Sequence, residues 1–234
     1  MIQPSKPHRL GAHYFMSISG EPGSGKTTLC ASAPDPVFID TGEETMTLAY
    51  TEGFENFDSV FHVHTHKDVW EINEAIKNGD LLCKTLILDN MSDLQYLQLD
   101  YTSELLKTGR DRAGTIIPIQ EDYNISTAQC RKLIKDWMSP TFPCDVIVIV
   151  HRTEVIDEKT SKTTVRAALT PKLADYLYRA VSMGLFLEAK PNSFKGTERT
   201  LRAMPTSVIQ AKNRVALPET FPATQLWKLI EEKR

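Results

Sequence analysis

No stretch of this 234-residue chain is both long and apolar. The longest strongly apolar run, Val146–Val150, is far too short to span a bilayer, so no membrane contact of that kind is expected. Met1 to Gly11 is polar and contains prolines, which argues against a secretory leader. An excess of one charge is also missing. The 27 Lys and Arg against 30 Asp and Glu leave a net charge of −3, with no global positive field for nucleic acid or membrane. Any nucleic-acid contact must therefore use a local basic patch. Cysteines are few and scattered: Cys30, Cys83, Cys130 and Cys144 form no CxxC pair. They argue against a disulfide frame or a cysteine zinc site and suit reduced thiols in a cytoplasmic protein. Internal repeats and low-complexity tracts are absent.

What the chain does have is a phosphate loop. Residues 20–27 read Gly-Glu-Pro-Gly-Ser-Gly-Lys-Thr, the pattern GxxxxGK[ST]. Gly20, Gly23 and Gly25 let the backbone turn so that successive N–H groups face an anion. Lys26 sets a charge on the β- and γ-phosphates, and the Thr27 hydroxyl can ligate Mg²⁺. Glu21, Pro22, Ser24 and Thr28 complete the set expected around a nucleotide with Mg²⁺, and the loop alone would serve a kinase, a GTPase or an ATPase; ATP is the nucleotide that the resemblance given below implies. A chance match in a glycine-rich loop is the alternative. The context opposes it, because Tyr14–Ser19 reads as a strand and Thr28–Ser32 as a helix that Pro34 stops.

Strand candidates alternate with helices along the chain. Strands are expected at 14–19, 37–40, 60–64, 85–89 and 145–150, and helices near 26–33, 44–51, 67–78, 91–107 and 122–138. A β-hairpin follows (Thr153–Ile156 and Thr163–Ala168), then a helix at 171–179, strands at about 181–188 and 199–211, and a closing helix at 223–232. Thr108–Pro118 reads as a mobile loop. The fold class is α/β: a mainly parallel central sheet flanked by helices, with a C-terminal antiparallel extension. One domain over 1–234 is expected, with its core at about 12–220 and a hairpin insertion at about 152–170.

Other strand tips supply the remaining chemistry. Thr85–Asp89 is a buried strand ending in a carboxylate, and Asp89 would hold Mg²⁺ opposite Thr27. Its simpler role would be to cap the helix near Met91. Glu43 and Glu44 follow the strand Val37–Asp40, where one of them can polarise a water beside the γ-phosphate. Glu43 is the first choice and Glu44 the second; an acidic first helical turn is the alternative. His151 ends the strand Asp145–Val150, where a polar side chain can touch the γ-phosphate and the following loop; an ordinary strand-end histidine is the alternative. Lys212 and Arg214 are two apart, so on a strand they share a face and suit stabilisation of phosphate charge, unless they are simply solvated. His62, His64 and His66 would offer a zinc face only if the strand persisted. Lys67-Asp68 begins a helix, so a strand-end cluster is expected instead. Trp70, Trp137 and Trp227 lie in helical patterns and read as packing residues.

Together these motifs resemble the RecA-like branch of P-loop ATPases, most closely the phage-encoded, core-only RecA-like proteins of single-strand annealing and recombination. Ile39–Thr45 is similar to the strand-plus-glutamate element of RecA, and closer to the paired-glutamate form of KaiC- and RadA-like proteins. Asp145–His151 resembles the strand where RecA carries a glutamine switch. Ala211–Arg214 resembles the Lys-x-Lys or Lys-x-Arg element whose cations reach a neighbouring subunit's nucleotide. The resemblance implies an ATPase that self-associates into a ring or filament and handles single-stranded DNA, with a single-strand DNA-binding protein as a further candidate partner. A phage protein in the cytoplasm of a bacterial host would fit. It also implies DNA contacts from two loops, one with Lys107, Arg110 and Arg112, the other with Arg152, Lys159, Lys162, Arg166 and Lys172. Aromatic platforms are missing from both loops, and Glu154, Asp157 and Glu158 interleave with the cations. The RecA polymerisation and C-terminal domains have no counterpart in this sequence. Two other activities stay open: a nucleotide-dependent switch with little turnover, and a small-molecule P-loop kinase.

Overall fold

A computed structural model describes residues 13–107, 110–112, 115–157, 161–192 and 196–234. β1 (Phe15–Gly20) leads into α1 (Lys26–Ala31). β2 (Pro36–Asp40) is followed by a 3-10 helix, Glu44–Tyr50, then β3 (Val60–His62) and α2 (His66–Asn78). β4 (Thr85–Asp89) runs into α3 (Met91–Leu106). A short ribbon, β5 (Arg110–Arg112) and β6 (Thr115–Ile117), precedes α4 (Gln120–Trp137). β7 (Asp145–Val150) continues into the hairpin β8 (Arg152–Asp157) and β9 (Lys162–Ala167), then α5 (Pro171–Ala180). The chain closes with β10 (Met183–Asn192), β11 (Gly196–Arg202), β12 (Lys212–Asn213), β13 (Thr220–Pro222) and α6 (Leu226–Glu231).

The main sheet has the order β13-β11-β10-β1-β7-β4-β2-β3. All neighbours from β10 to β3 are parallel. β11, β12 and β13 add to it antiparallel. β4 and β7, in the middle of the parallel strands, are buried on both faces, which is why they read as unbroken apolar runs. Successive side chains alternate between two cores. Phe15, Val37, Leu86, Leu88, Val146 and Val148 pack with α2, α3, α4 and α5. Met16, Ile18, Phe38, Ile87 and Ile147 pack with α1 and α6. Each fully buried side chain of this size contributes roughly 1.5–3 kcal/mol. The order places β7 between β1 and β4, so the tips that matter most lie side by side.

Several expectations change. The strand expected over 199–211 stops at Arg202. Pro205 has no N–H to donate, and the Thr206 hydroxyl accepts the N–H groups of Val208 and Ile209, which turns the chain off the sheet. The helix expected near 44–51 is present as a 3-10 helix over Glu44–Tyr50, its start tied by the Asp40 carboxylate. The described part of 108–118 holds two short paired strands rather than a loop. β3 ends at His62 and Thr65 caps α2, so His62, His64 and His66 never share a strand face. His66 instead stacks on Tyr101 at 3.6 Å. The tryptophans do pack: Trp137 is fully buried with its Nε1 donating to Asn73, and Trp227 donates to the Ser32 hydroxyl.

Candidate nucleotide site

The site forms at the C-terminal tips of β1, β7, β4 and β2. Gly23 and Gly25 have φ of +73° and +93°, the left-handed region that glycine alone enters freely. Gly20 is needed for space, since a Cβ there would lie 2.5 Å from the Leu187 carbonyl oxygen of β10. Lys26 is buried, and its Nζ donates to the carbonyl oxygens of Gly20 at 3.3 Å and Glu21 at 3.0 Å. Burial lowers its pKa, while Asp89 and Glu44 oppose that shift.

Thr27 Oγ1 donates to Asp89 Oδ2 at 2.7 Å across the α1–β4 junction. Asp89 is 1% exposed, and burial pushes its carboxyl up to about 7, helped by Glu44 and Asp40 and opposed by the Thr27 hydrogen bond and Lys26. A buried carboxylate destabilised in this way, with a hydroxyl beside it, is a donor pair that fits a divalent cation.

The acidic loop after β2 is built by Asp40. Its carboxylate accepts the N–H groups of Gly42, Glu44 and Thr45 and the Thr45 hydroxyl. Gly42 leaves room for Asp93, whose Oδ2 would be 2.4 Å from any Cβ added there. Within this loop the two glutamates part. Glu44 lines the phosphate-loop cavity, whereas Glu43, at φ +58°, is exposed and lies off it. Glu44 Oε1 stands 3.4 Å from His151 Nε2. Asn90 Nδ2 lies 2.9 Å from the same His151 nitrogen and donates to Asp93 at 2.8 Å. Asn90 Oδ1 accepts the Asp93 N–H, so its NH₂ group faces the His151 ring. Glu44, Asp93 and His151 bring their ligand atoms within 4.8 Å of one another, and the Asn90 amide links the last two directly.

Pro22, Gly23, Gly25, Lys26, Thr27, Thr28, Glu44, Thr47, Asp89, His151 and Arg199 enclose a cavity of about 270 Å³. A second cavity of about 440 Å³ adjoins it, sharing Gly25, Thr28 and Arg199 and adding Ser32, Thr51, Phe54, Thr197 and Thr224. Sequence reasoning missed Asn90, Asp93 and Arg199. Asn90 and Asp93 follow Asp89 at cap spacing and could have been found that way. Arg199 lies in a largely polar, exposed strand, and only the β10–β11 pairing brings it here.

Arg152, expected among the DNA contacts, is committed elsewhere. Its side chain is 13% exposed, ion-paired to Glu21 of the phosphate loop and stacked on Phe186 at 4.9 Å. Lys107, Arg166 and Lys172 are exposed. Lys159 lies outside the described residues, as do the side chains of Arg110, Arg112 and Lys162.

Lys212 and Arg214 do not line their own chain's cavity. Lys212 pairs with Gly184, which pairs with Ser17, toward the base of β1. Lys212 Nζ donates to the carbonyl oxygens of Tyr178 and Arg179 at 2.7 and 2.6 Å, closing the C-terminus of α5. Burial and then Arg214 bring its pKa to about 8, while the carbonyls favour its charged form. Arg214 is exposed, and among the described residues no carboxylate pairs with its guanidinium.

A family model described as an AAA domain matches residues 12–215. No curated protein matches by sequence. Among solved structures, the RadB recombinase is 15% identical, with a TM-score of 0.45 over 81% of this chain and 79% of that one. A KaiC-like protein from Pyrococcus horikoshii OT3 is 12% identical, with a TM-score of 0.44 over 81% and 78%. The flagellar accessory protein FlaH from Methanocaldococcus jannaschii is 10% identical, with a TM-score of 0.41 over 88% and 83%. No helix among the described residues is long and apolar enough to cross a membrane.

Proposed function

The chain belongs to the AAA domain family, with a RecA-like P-loop ATPase core, and from that premise we propose that it binds ATP with Mg²⁺ and hydrolyses it. The observation that carries the proposal is one cavity lined by Lys26, Thr27, Asp89, Glu44 and His151 together. Lys26 neutralises the outer phosphates. Thr27 and Asp89 hold the cation, which when bound screens the phosphate charge. Glu44, rather than Glu43, polarises the attacking water, because it reaches the cavity and its carboxylate lies beside His151. His151 reads the γ-phosphate through Glu44 and passes the change to β8, which begins at the next residue.

The same reading extends to assembly and substrate. The chain acts as one ATPase domain that self-associates in a ring or filament, and Arg214 reaches the neighbouring subunit's phosphates. Its exposure, without a carboxylate partner among the described residues, supports that role. Single-stranded DNA is the polymer it acts on, in recombination or replication of a phage. The exposed Lys107, Arg166 and Lys172 support a contact that assembly would multiply. ATP turnover with and without single-stranded DNA, with molar mass read by light scattering in the same buffer, tests this. Turnover that rises with DNA in an assembled species is expected. ATP binding without turnover would indicate a nucleotide switch, and phosphorylation of a small acceptor with no effect of DNA would indicate a kinase.

A further inference from the structure

Beyond Lys26 and Arg152, the phosphate loop receives a further cation from its own chain, and nothing in the GxxxxGK[ST] motif calls for it. Arg199 sits on β11, two strands from β1, and its Nε donates to the Ser24 carbonyl oxygen at 2.9 Å. The guanidinium lies so close over Gly25 that a Cβ there would be 2.6 Å from Nε. A backbone carbonyl is its hydrogen-bond partner, and no carboxylate pairs with it among the described residues. This contrasts with Arg152 and Arg202, whose guanidiniums meet Glu21, Glu188 and Glu219. One nitrogen is anchored, so the remaining N–H donors of a planar, permanently charged group are left for a ligand.

The location sets which ligand atom they serve. Arg199, Gly25 and Thr28 form the wall shared by the phosphate-loop cavity and the adjoining cavity of about 440 Å³. Lys26, Thr27 and Asp89 line the first cavity alone; Ser32, Phe54, Thr197 and Thr224 line the second alone. A nucleotide with its outer phosphates beside Lys26 and its nucleoside in the second cavity carries its first phosphate past this wall. We propose that Arg199 is a nucleotide-binding residue that holds the phosphate attached to the nucleoside, and so ties the antiparallel flank to the bound ligand. This rests on the ATP-binding reading above and adds a residue outside the loop itself for the phosphate next to the nucleoside.

The test is equilibrium binding of ATP, ADP, AMP and adenosine to the parent protein, Arg199→Ala and Arg199→Lys, with circular dichroism confirming the fold. Arg199→Ala should bind ATP and ADP about 10- to 100-fold more weakly and by a similar factor, with AMP weakened too and adenosine unchanged. Arg199→Lys should recover part of the loss. Equal affinities for parent and Arg199→Ala, or a loss confined to ATP, would overturn the assignment and leave ATP binding standing. A parent protein that binds none of the four would overturn both.

Discussion

The tips of β1, β4 and β7 and the flank around β12 both gather charged side chains, but they hold them differently. At the tips and in the acidic loop after β2, four charges have partners within the chain: Lys26 on two carbonyls, Asp89 on Thr27, Glu44 beside His151 and Glu21 on Arg152. At the flank, Lys212 is absorbed by the end of α5 while Arg214 is left exposed. A site that recognises a ligand in every copy must be preorganised, because an unpaired buried charge is costly. A group meant for a neighbouring subunit must stay on the surface. On the proposed reading, the two regions separate binding, which one chain does alone, from completion of the site by a neighbouring subunit.

Variants can break that contrast, beginning with a large effect at the flank. Arg214→Ala should bind ATP normally yet turn it over at least about 100-fold more slowly, whereas Lys212→Ala should mainly lower thermal stability, by about 1 kcal/mol, through the lost cap. Mixing Arg214→Ala with Lys26→Ala protein should restore some turnover, because the first supplies an intact loop and the second an intact cation. Absence of rescue at every ratio would place Arg214 outside the reaction.

The tips should respond to pH. The folded pKa of Asp89 is raised to about 7 from an unfolded value near 4, so the native protein holds a proton that the unfolded chain releases. Stability of the nucleotide-free protein should fall as pH rises from about 4 to 7 and level off above that. Asp89→Asn should remove this slope and gain a few kcal/mol at pH 8 but little near pH 4, as read by denaturant midpoints. The change expected for Arg152→Ala is as small as that for Lys212→Ala. It should cost about 1 kcal/mol through the lost Phe186 contact, since Glu21 is exposed enough to be rehydrated. Weakened single-stranded DNA binding without lost stability would return Arg152 to the DNA contacts.

The unequal legibility of these regions has a physical cause. The parallel strands are readable because burial on both faces demands unbroken apolar runs such as Leu86-Ile-Leu88 and Val146–Val150. The phosphate loop is readable because Gly23 and Gly25 must take positive φ. Glu43 and Glu44 cannot be separated by spacing, since their divergence depends on which N–H groups the Asp40 carboxylate collects. Arg152 and Arg199 resemble ordinary surface cations in the sequence. Their roles arise from contacts with Glu21 and Ser24, far away along the chain, that no local pattern encodes.

Single-turnover ATP hydrolysis by Glu44→Gln beside Glu43→Gln and the parent, with ATP affinity measured on the same samples, bears most directly on the site. Glu44→Gln should retain ATP binding and lose hydrolysis by about 100- to 1000-fold, while Glu43→Gln keeps the parent rate. Parent-like hydrolysis by Glu44→Gln, or its loss in Glu43→Gln alone, would contradict the geometry on which the proposed chemistry rests.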